Sequence, residues 1–468
     1  MPERRAPYES LPHCNTAEEY ISMIGSGRST IAECATLARA NLKDNMQNPA
    51  LVAFGSLGAH GSCESNQERD LHRWLRHIHG FQLAPYRVAI KLHVPGKAGL
   101  QDVSVPFVLP HEILHHVAMA GEYQFSLSML GNRSEDDLKN FWDHCSCFDE
   151  WSQHEVLMDP TPIDRKRLIP CLLHLDGAEF YSNCEYLVWS MASVFGKGSV
   201  WDTKFPCCII PHSAMVDAKV RDDVHETVAR VLAWSMSQAS LGVFPSVGAL
   251  GEGLSGERGD LAGTVIANGW RMAYFGMKAD AKARLQCNYF SRSYQHAKIC
   301  ESCGAAKQHK DWDPSMDYKD FYDDAPYLNT TISNEEYLRS SPRVSPWAIM
   351  PGWHLGTVFR DPMHTIYLGT AKLLISSVLG LWISRDILAG SDLAEKLSKF
   401  SVAMKRALKS QGMRVPFQRF TPANTGLDKP SQFPELGSAF KAANIKCYLW
   451  YISKKATEFA EASPRVQP

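Results

Sequence analysis

Leu168-Ile169-Pro170-Cys171-Leu172-Leu173-His174-Leu175-Asp176-Gly177 is the stretch that decides the fold. Its mostly apolar run predicts a buried β-strand over residues 168–175, because a strand covered on both faces does not need polar alternation. Asp176-Gly177 predicts a turn directly after it, and Pro170 is tolerated because it lies near the start of the strand. We therefore expect Asp176 at the carboxyl end of a buried strand.

Three more strands and one helix are predicted after this first strand. Residues 185–195 are rich in Tyr, Val and Trp, and residues 204–211 form another short β-like run. A helical pattern opens at Asp222-Asp223, with acidic residues where the helix dipole favours them. Residues 271–279 then read as a fourth strand, which ends directly before Asp280. The predicted order is strand, strand, strand, helix, strand.

Acidic residues at the ends of these elements are candidate metal ligands. Asp361, before Pro362 at the predicted start of a later helix, joins Asp176 and Asp280. Carboxylate oxygens suit Mg²⁺ or Mn²⁺, and phosphodiester chemistry by two metals holds the ions about 3.5–4 Å apart. The alternative is that Asp176-Gly177 is a turn, Asp280 a solvated loop acid, and Asp361-Pro362 a helix N-cap pair.

Three motifs around these acids resemble those of CACTA-type DNA transposases. The order of the motifs along the chain matches the family, although each motif alone is weak. The stretches that carry the resemblance are Leu175-Asp176-Gly177 with Phe180 and Val188-Trp189-Ser190, Asp280 about twenty positions ahead of Cys300 and Cys303, and Asp361-Pro362-Met363-His364.

The resemblance implies an α/β fold, a ribonuclease H-like mixed sheet flanked by helices, in which the first and fourth strands are neighbours. It implies Asp176, Asp280 and Asp361 as catalytic ligands of Mg²⁺ or Mn²⁺, with His364 beside them. It also implies DNA strand cleavage or transfer, DNA as partner and a nuclear location, and it leaves self-association open.

One position departs from the family pattern. The family carries a glutamate two positions after the histidine of its last motif, and this chain has Ile366 there. A metal ligand is therefore missing unless Asp361 is itself the ligand. The alternative to an active transposase or nuclease is a non-catalytic, repurposed protein that binds DNA or another protein.

A second metal site is suggested by Cys300-Glu301-Ser302-Cys303, which lies between His296 and His309. Two cysteines and two histidines are ligands typical of zinc, although only one Cys-x-x-Cys is present. The alternative is a pair of ordinary reduced cysteines. The resemblance favours a structural role in an insertion at about residues 287–345.

Two other patterns match known motifs in an unfavourable context. His111-Glu112-Ile113-Leu114-His115 matches the zinc-peptidase pattern of two histidines one helical turn apart with a glutamate that activates water. Pro110 places this motif in the first turn of a helix, so a zinc metallopeptidase is only a further alternative. Residues 251–256 match the nucleotide-binding Gly-x-Gly-x-x-Gly, but no strand runs directly into them, and we expect a loop.

Length and charge bound the domain organisation. The chain has 468 residues, of which 45% are hydrophobic and 21% charged, which is typical of a globular protein of two or three domains. We predict an α+β accessory region at 1–160, a core at 165–385 and a helical, basic C-terminal region at 386–468. Because the net charge is −1, DNA binding requires local basic patches, and the candidates are Arg165-Lys166-Arg167, residues 278–284 and residues 298–310.

Cysteine usage and hydropathy favour an intracellular protein. The 13 cysteines are odd in number and irregularly spaced, unlike a secreted disulfide framework. The sequence begins Met1-Pro2-Glu3-Arg4-Arg5, without the apolar stretch of a signal peptide. The apolar residues 365–384 are interrupted by Lys372 and by small polar residues, so we expect a buried helix and no membrane partner.

Overall fold

A computed structural model describes the following parts of the chain. These are residues 14–25, 29–43, 48–59, 67, 70–71, 85–158, 164–181, 184–198, 200–292, 296–307, 313–320, 322–413, 415–429 and 434–462. The chain divides into two compact units, Met1–Phe359 and Arg360–Pro468. The boundaries predicted at residues 160 and 385 do not coincide with this division, for the reasons given below.

The strands and main helices of the described residues are labelled in chain order. The strands are β1 (Tyr86–His93), β2 (Leu100–Phe107), β3 (Leu168–Tyr181), β4 (Cys184–Ser193), β5 (Lys204–Pro211), β6 (Arg271–Ala279) and β7 (Val358–Arg360). The helices of seven or more residues are α1 (Asn15–Gly25), α2 (Ile31–Lys43), α3 (Pro49–Gly55), α4 (Pro110–Ala120), α5 (Glu135–Cys145), α6 (Ala218–Leu241), α7 (Ala281–Cys287), α8 (Asn334–Ser340), α9 (Ala371–Ser384), α10 (Leu393–Ser410) and α11 (Ala442–Ala462). A π-helical segment, Met363–Thr370, leads directly into α9.

A five-stranded mixed sheet lies at the centre of the first unit. Its strand order is β5–β4–β3–β6–β7. Strands β3, β4 and β5 form an antiparallel meander, and β6 runs parallel to β3 on its other side. The predicted order of three strands, a helix and a fourth strand is confirmed, as is the predicted pairing of the first strand with the fourth.

Helices cover both faces of this sheet. On one face the buried side chains of β3 and β4, such as Leu175 and Trp189, share a core with Val228 and Leu232 of α6. On the other face the indole N–H of Trp142, in α5, donates a hydrogen bond to the carbonyl oxygen of Leu168 at 2.8 Å. The fold is therefore α/β, with a mixed sheet flanked by helices.

The region predicted as a separate N-terminal domain shares the core of the sheet. Alternate residues of β1 are buried, and they pack in the same cluster as β3, β4 and α6. The backbone N–H of Val108 donates to the carbonyl oxygen of Cys207, in β5, at 2.8 Å. The β1–β2 hairpin thus buries its apolar face against the elements that follow it, and the two-unit division keeps both in the first unit.

The second unit is helical, as predicted for the C-terminal region. Its core is formed by α9, α10 and α11, and Trp382 of α9 packs edge-to-face on Phe400 of α10 and on Phe459 of α11. Since these contacts tie α9 to the C-terminal helices, the predicted boundary at residue 385 falls inside this core.

One described helix, Met363–Ser384, is long and apolar enough to cross a membrane by length and composition. Core helices pass the same test, and Ile375, Leu379 and Trp382 are buried in the second unit. This single helix is therefore weak support for a membrane location.

His225 of α6 is a buried histidine whose two ring nitrogens lack hydrogen-bond partners among the described residues. Burial lowers the pKa of His225 to about 4; Arg221 also lowers it and Asp222 partly opposes the shift. The unfolded chain, with a histidine pKa of about 6.5, therefore takes up the proton first. His225 therefore leaves the free energy of unfolding nearly unchanged above about pH 6.5, and it lowers that free energy as the pH falls from about 6.5 toward 4.

His225→Leu is therefore expected to reduce the acid sensitivity of the fold. Between pH 7 and pH 5 its unfolding free energy should fall by about 2 kcal/mol less than that of the wild-type protein, since one pKa unit corresponds to ~1.4 kcal/mol. Urea unfolding at the two pH values measures this, with His144→Leu as the control at an exposed position. Equal pH dependence in the His225 variant and the wild-type protein would show that His225 does not titrate in this way.

Candidate active site

Asp176 lies in β3, and Asp280 directly follows β6, the strand that runs parallel to β3. Leu175 of β3 is in register with Ala279 of β6, the last pair of that ladder. The next residue on each chain is an aspartate, so the two backbones bring Asp176 and Asp280 to adjacent positions. Asp176 is partly buried within β3, which continues to Tyr181 rather than turning at Gly177 as predicted.

The surroundings of Asp176 are polar on its own face of the sheet. Two positions before it, and hence on the same face, His174 is buried, with its Nδ1 2.6 Å from the Nζ of Lys204 in β5. This contact requires the ring nitrogen of His174 to accept a hydrogen bond from the ammonium group. Strand alternation thus places a carboxylate and a cation-bound histidine side by side at one end of the sheet.

Asp280 has a local structural role in addition to its position. It is the N-cap of α7, and its carboxylate accepts the backbone N–H of Ala283 at 2.6 Å. The alternative interpretation of Asp280 as a solvated loop acid does not agree with this partly buried helix cap. One carboxylate oxygen satisfies an N–H at the start of the helix, where the helix dipole also favours negative charge.

Asp361 and His364 belong to the second unit, where a buried carboxylate pairs with a partly exposed histidine. The carboxylate of Asp361 is 5% exposed. It accepts the backbone N–H of Met363 at 3.2 Å and contacts Nδ1 of His364 at 2.8 Å. The interpretation of Asp361-Pro362 as a helix start agrees with these contacts, and Ile366 is 50% exposed two positions after His364.

The three acids predicted to hold Mg²⁺ are divided between the two units. Among the described residues, no three His, Cys, Asp or Glu side chains are grouped so as to hold a metal ion. Asp176 and Asp280 adjoin in the first unit, and Asp361 lies in the second. The assignment of all three as Mg²⁺ ligands therefore stays a prediction.

Only part of the zinc site predicted at the Cys-x-x-Cys segment lies within the described residues. Cys300 is half-buried, Cys303 is buried and His296 is exposed, whereas His309 lies outside the described residues. The thiols of Cys300 and Cys303 are hydrogen bonded to each other, and burial raises the pKa of Cys303 to about 11. The proximity of the two thiols agrees with the predicted cysteine pair, and zinc binding there stays a prediction.

A buried ion pair that the sequence did not reveal connects Asp280's helix to this segment. Arg284, in α7, is paired with Glu301, which lies between Cys300 and Cys303. Both side chains are almost fully buried. Glu301 stood in the motif and Arg284 in a predicted basic patch, but nothing in their spacing indicated a contact. The segment therefore helps to hold the helix that Asp280 caps.

The zinc-peptidase pattern at His111 serves the core instead. Nδ1 of His111 lies 2.7 Å from Oγ of Ser235, and the Nδ1 of His115 accepts the backbone N–H of Ala267 at 3.1 Å. Glu112, which would activate water in a peptidase, accepts two hydrogen bonds from Arg258 at 2.6 and 3.0 Å. These side chains stabilise the packing of α4, and this environment gives the peptidase alternative no support.

The Gly-x-Gly-x-x-Gly stretch is a loop between α6 and β6, as predicted. Its Glu252 is hydrogen bonded to the hydroxyl group of Tyr86 in β1 and accepts the backbone N–H of Leu250 at 3.0 Å. The loop therefore closes over the end of the hairpin, and its glycines belong to turns rather than to a nucleotide site.

The first basic patch predicted to contact DNA, residues 165–167, is neutralised inside the first unit, and so is part of the second patch. Arg165, Lys166 and Arg167 each pair with an acidic residue of α5, and Lys282 pairs with Glu185. The partners of the first three cations are Asp143, Asp136 and Glu135, at 2.8, 2.8 and 3.1 Å. Residues 165–167 attach α5 to the start of β3, and this structural role weakens their assignment to phosphate binding.

Comparison with known proteins adds no relative: no protein-family model matches this chain, and no curated protein matches it.

Proposed function

We propose that this chain carries a ribonuclease H-like domain that processes nucleic acid and descends from a transposase of the CACTA type. The observation that carries the proposal is the register of β3 with β6, which makes Asp176 and Asp280 neighbours at one end of a mixed sheet. The sheet order β5–β4–β3–β6–β7, with an antiparallel meander and a fourth strand parallel to the first, is the order expected of that fold.

The donor chemistry of the pair fits Mg²⁺ or Mn²⁺. Two carboxylates supply the hard, anionic oxygens that these ions prefer. When bound, such ions would polarise a phosphodiester and activate an attacking water or DNA 3′-hydroxyl group. The task of the chain is to hold Asp176 and Asp280 in place, and β3, β6 and the cap of α7 do so. Asp361 remains the predicted third ligand, and Asp361→Asn tests it in the assay described next.

The experiment is a cleavage assay on linear duplex DNA with Mg²⁺ or Mn²⁺, compared with EDTA. Asp280 is the informative position because its cap can be kept while its charge is removed. Asn and Ser are both good N-caps, so Asp280→Asn and Asp280→Ser should leave α7 in place. We expect both variants to lose at least about 100-fold in cleavage rate if Asp280 stabilises the transition state, with unfolding free energies within about 1 kcal/mol of the wild type.

Asp280→Ala is the matched control for the helix cap, because it removes both the charge and the capping oxygen. It should cost about 1 kcal/mol of stability more than the Asn and Ser variants. Full cleavage activity in Asp280→Asn would show that Asp280 acts only as a cap, and it would remove that residue from the proposed site.

A second candidate function is a non-catalytic descendant that binds nucleic acid or protein. Three observations favour it: Asp280 is used as a helix cap, Asp361 is paired with His364, and no group of three potential ligands is present in the described residues. Absence of cleavage by the wild-type protein with either metal, under conditions in which it binds DNA, would select this candidate over the first.

A further inference from the structure

The charge of the chain is divided unequally between its two units. Residues 360–468 contain 16 Lys and Arg against 8 Asp and Glu, a formal charge of +8. Since the whole chain carries −1, residues 1–359 carry −9. The net charge of −1 is therefore the sum of a strongly basic second unit and an acidic first unit.

Several exposed cations of the second unit have no acidic partner. The ion pairs of that unit that join Lys to an acid are Lys396–Asp386, Lys399–Glu395 and Lys455–Glu458. Nine other exposed cations form no ion pair within the described part of the unit, and five of these are Lys405, Arg406, Lys409, Arg419 and Lys446. We call these five residues the basic helical surface. They contrast with residues 165–167 of the first unit, which are all neutralised.

Packing inside the second unit connects the elements that carry the five cations. Lys405, Arg406 and Lys409 lie within about one turn of α10. The ammonium group of Lys405 lies 5.8 Å from the centre of the Phe417 ring, which in turn contacts the Tyr448 ring of α11 at 5.6 Å. The segment that holds Phe417 and Arg419 therefore lies between α10 and α11.

Hydrogen bonds fix that segment on both sides. The backbone N–H of Phe420 donates to Oγ of Ser401, in α10, at 3.0 Å. The backbone N–H of Gln418 donates to the hydroxyl group of Tyr448, in α11, at 2.8 Å. Arg419 thus lies on a backbone held to both α10 and α11.

We propose that the basic helical surface binds the phosphodiester backbone of nucleic acid. Lys and Arg contact phosphates in such complexes, and each neutralised phosphate releases counterions, which favours binding. Lysine is depleted from protein–protein interfaces, and three of the five cations are lysines. The assignment of nucleic acid rests on the proposed function for the identity of the partner, but it needs neither a metal nor an intact carboxylate pair.

The test measures binding of the full-length chain to a fluorescent duplex of about 30 base pairs in EDTA, by fluorescence anisotropy. The NaCl concentration is varied between about 50 and 200 mM, because phosphate contacts lose affinity steeply over this range. The variant combines Lys405→Gln, Arg406→Gln and Lys409→Gln, since Gln keeps good helix propensity. We expect the slope of log Kd against log salt concentration to fall by about 2–3, and Kd to rise about 10- to 100-fold.

A matched control removes the same charge from the first unit. It combines Lys97→Gln, Lys219→Gln and Arg230→Gln, which replace exposed cations that form no ion pair within the described residues. We expect its Kd and salt slope to stay within about twofold of the wild-type values. An equal loss of binding in the two triple variants would overturn the proposal, because it would show a general effect of net charge. Failure of the wild-type protein to bind DNA would overturn it too.

Two further outcomes separate the basic helical surface from the proposed activity. DNA binding that is lost only in the α10 variant, together with no cleavage by the wild-type protein, supports the surface and contradicts the nuclease. Cleavage and binding that are both unaffected in the α10 variant support the nuclease and overturn the surface. Competition by polyglutamate of matched charge, as effective as competition by unlabelled duplex, would assign the surface to an acidic protein and overturn nucleic acid as the partner.

Discussion

Asp176→Asn is expected to lower metal-dependent strand cleavage by roughly 10³-fold, which corresponds to about 4 kcal/mol of transition-state stabilisation. Asparagine has nearly the shape of aspartate but lacks the negative charge that a divalent cation needs. Asp176 is only partly buried in β3, so the substitution should fit without repacking. Single-turnover cleavage of a labelled duplex measures the rate, and urea unfolding measures stability.

The control for this prediction is Asp102→Asn, which removes an exposed carboxylate paired with Lys91 at 3.4 Å in the β1–β2 hairpin. It should change cleavage less than about twofold and stability by less than about 1 kcal/mol. Cleavage by Asp176→Asn at the wild-type rate would exclude Asp176 as a ligand. A rate lost in parallel with stability would indicate a structural role instead.

Arg258→Ala is expected to destabilise the first unit by about 3–5 kcal/mol, because it leaves a buried carboxylate without its cation. The side chain of Glu112 is 8% exposed, and both of its oxygens accept hydrogen bonds from the Arg258 guanidinium group. A charge that is buried and unpaired costs far more than a surface ion pair contributes. Chemical denaturation of the wild-type and variant proteins gives the difference.

Two matched variants make this prediction specific. Lys91→Ala breaks the Lys91–Asp102 pair, in which both side chains are 67% exposed, and should cost less than about 1 kcal/mol. Adding Glu112→Gln to Arg258→Ala removes the unpaired charge and should recover part of the lost stability, which a double-mutant cycle quantifies. A small loss in Arg258→Ala, equal to that in Lys91→Ala, would show that the buried pair contributes little.

The central sheet could be predicted from sequence because its signals are local. The apolar run of residues 168–175 and the β-rich run of residues 271–279 each predicted one strand, and the resemblance to CACTA-type transposases implied that the two strands pair. The same reasoning located Asp176 and Asp280 at neighbouring strand positions. The sequence did not predict that β3 continues past Gly177, because its antiparallel pairing with β4 extends the strand beyond a residue pair typical of turns.

The parts that the sequence did not predict depend on contacts between distant residues. The sequence of residues 165–167 predicts a DNA-binding patch. In the structure, acidic residues of α5, about 22–32 positions earlier in the chain, neutralise these cations. The motif around Glu112 likewise suggests a catalytic base, whereas in the structure Glu112 accepts hydrogen bonds from Arg258. The core that the hairpin shares with the sheet likewise depends on contacts between residues distant in sequence.

The pairing of β3 with β6 also governs the order in which the chain can assemble. About 100 residues separate the two partners in sequence, so their ladder closes a long loop, and such contacts form slowly. Until Arg271–Ala279 arrives, the apolar strand Leu168–Leu175 is an open sheet edge, and unpaired edges of this kind recruit other chains into aggregates. During synthesis this apolar strand edge therefore stays open until Arg271–Ala279 has been made, and any fragment ending before Arg271 would keep that edge exposed.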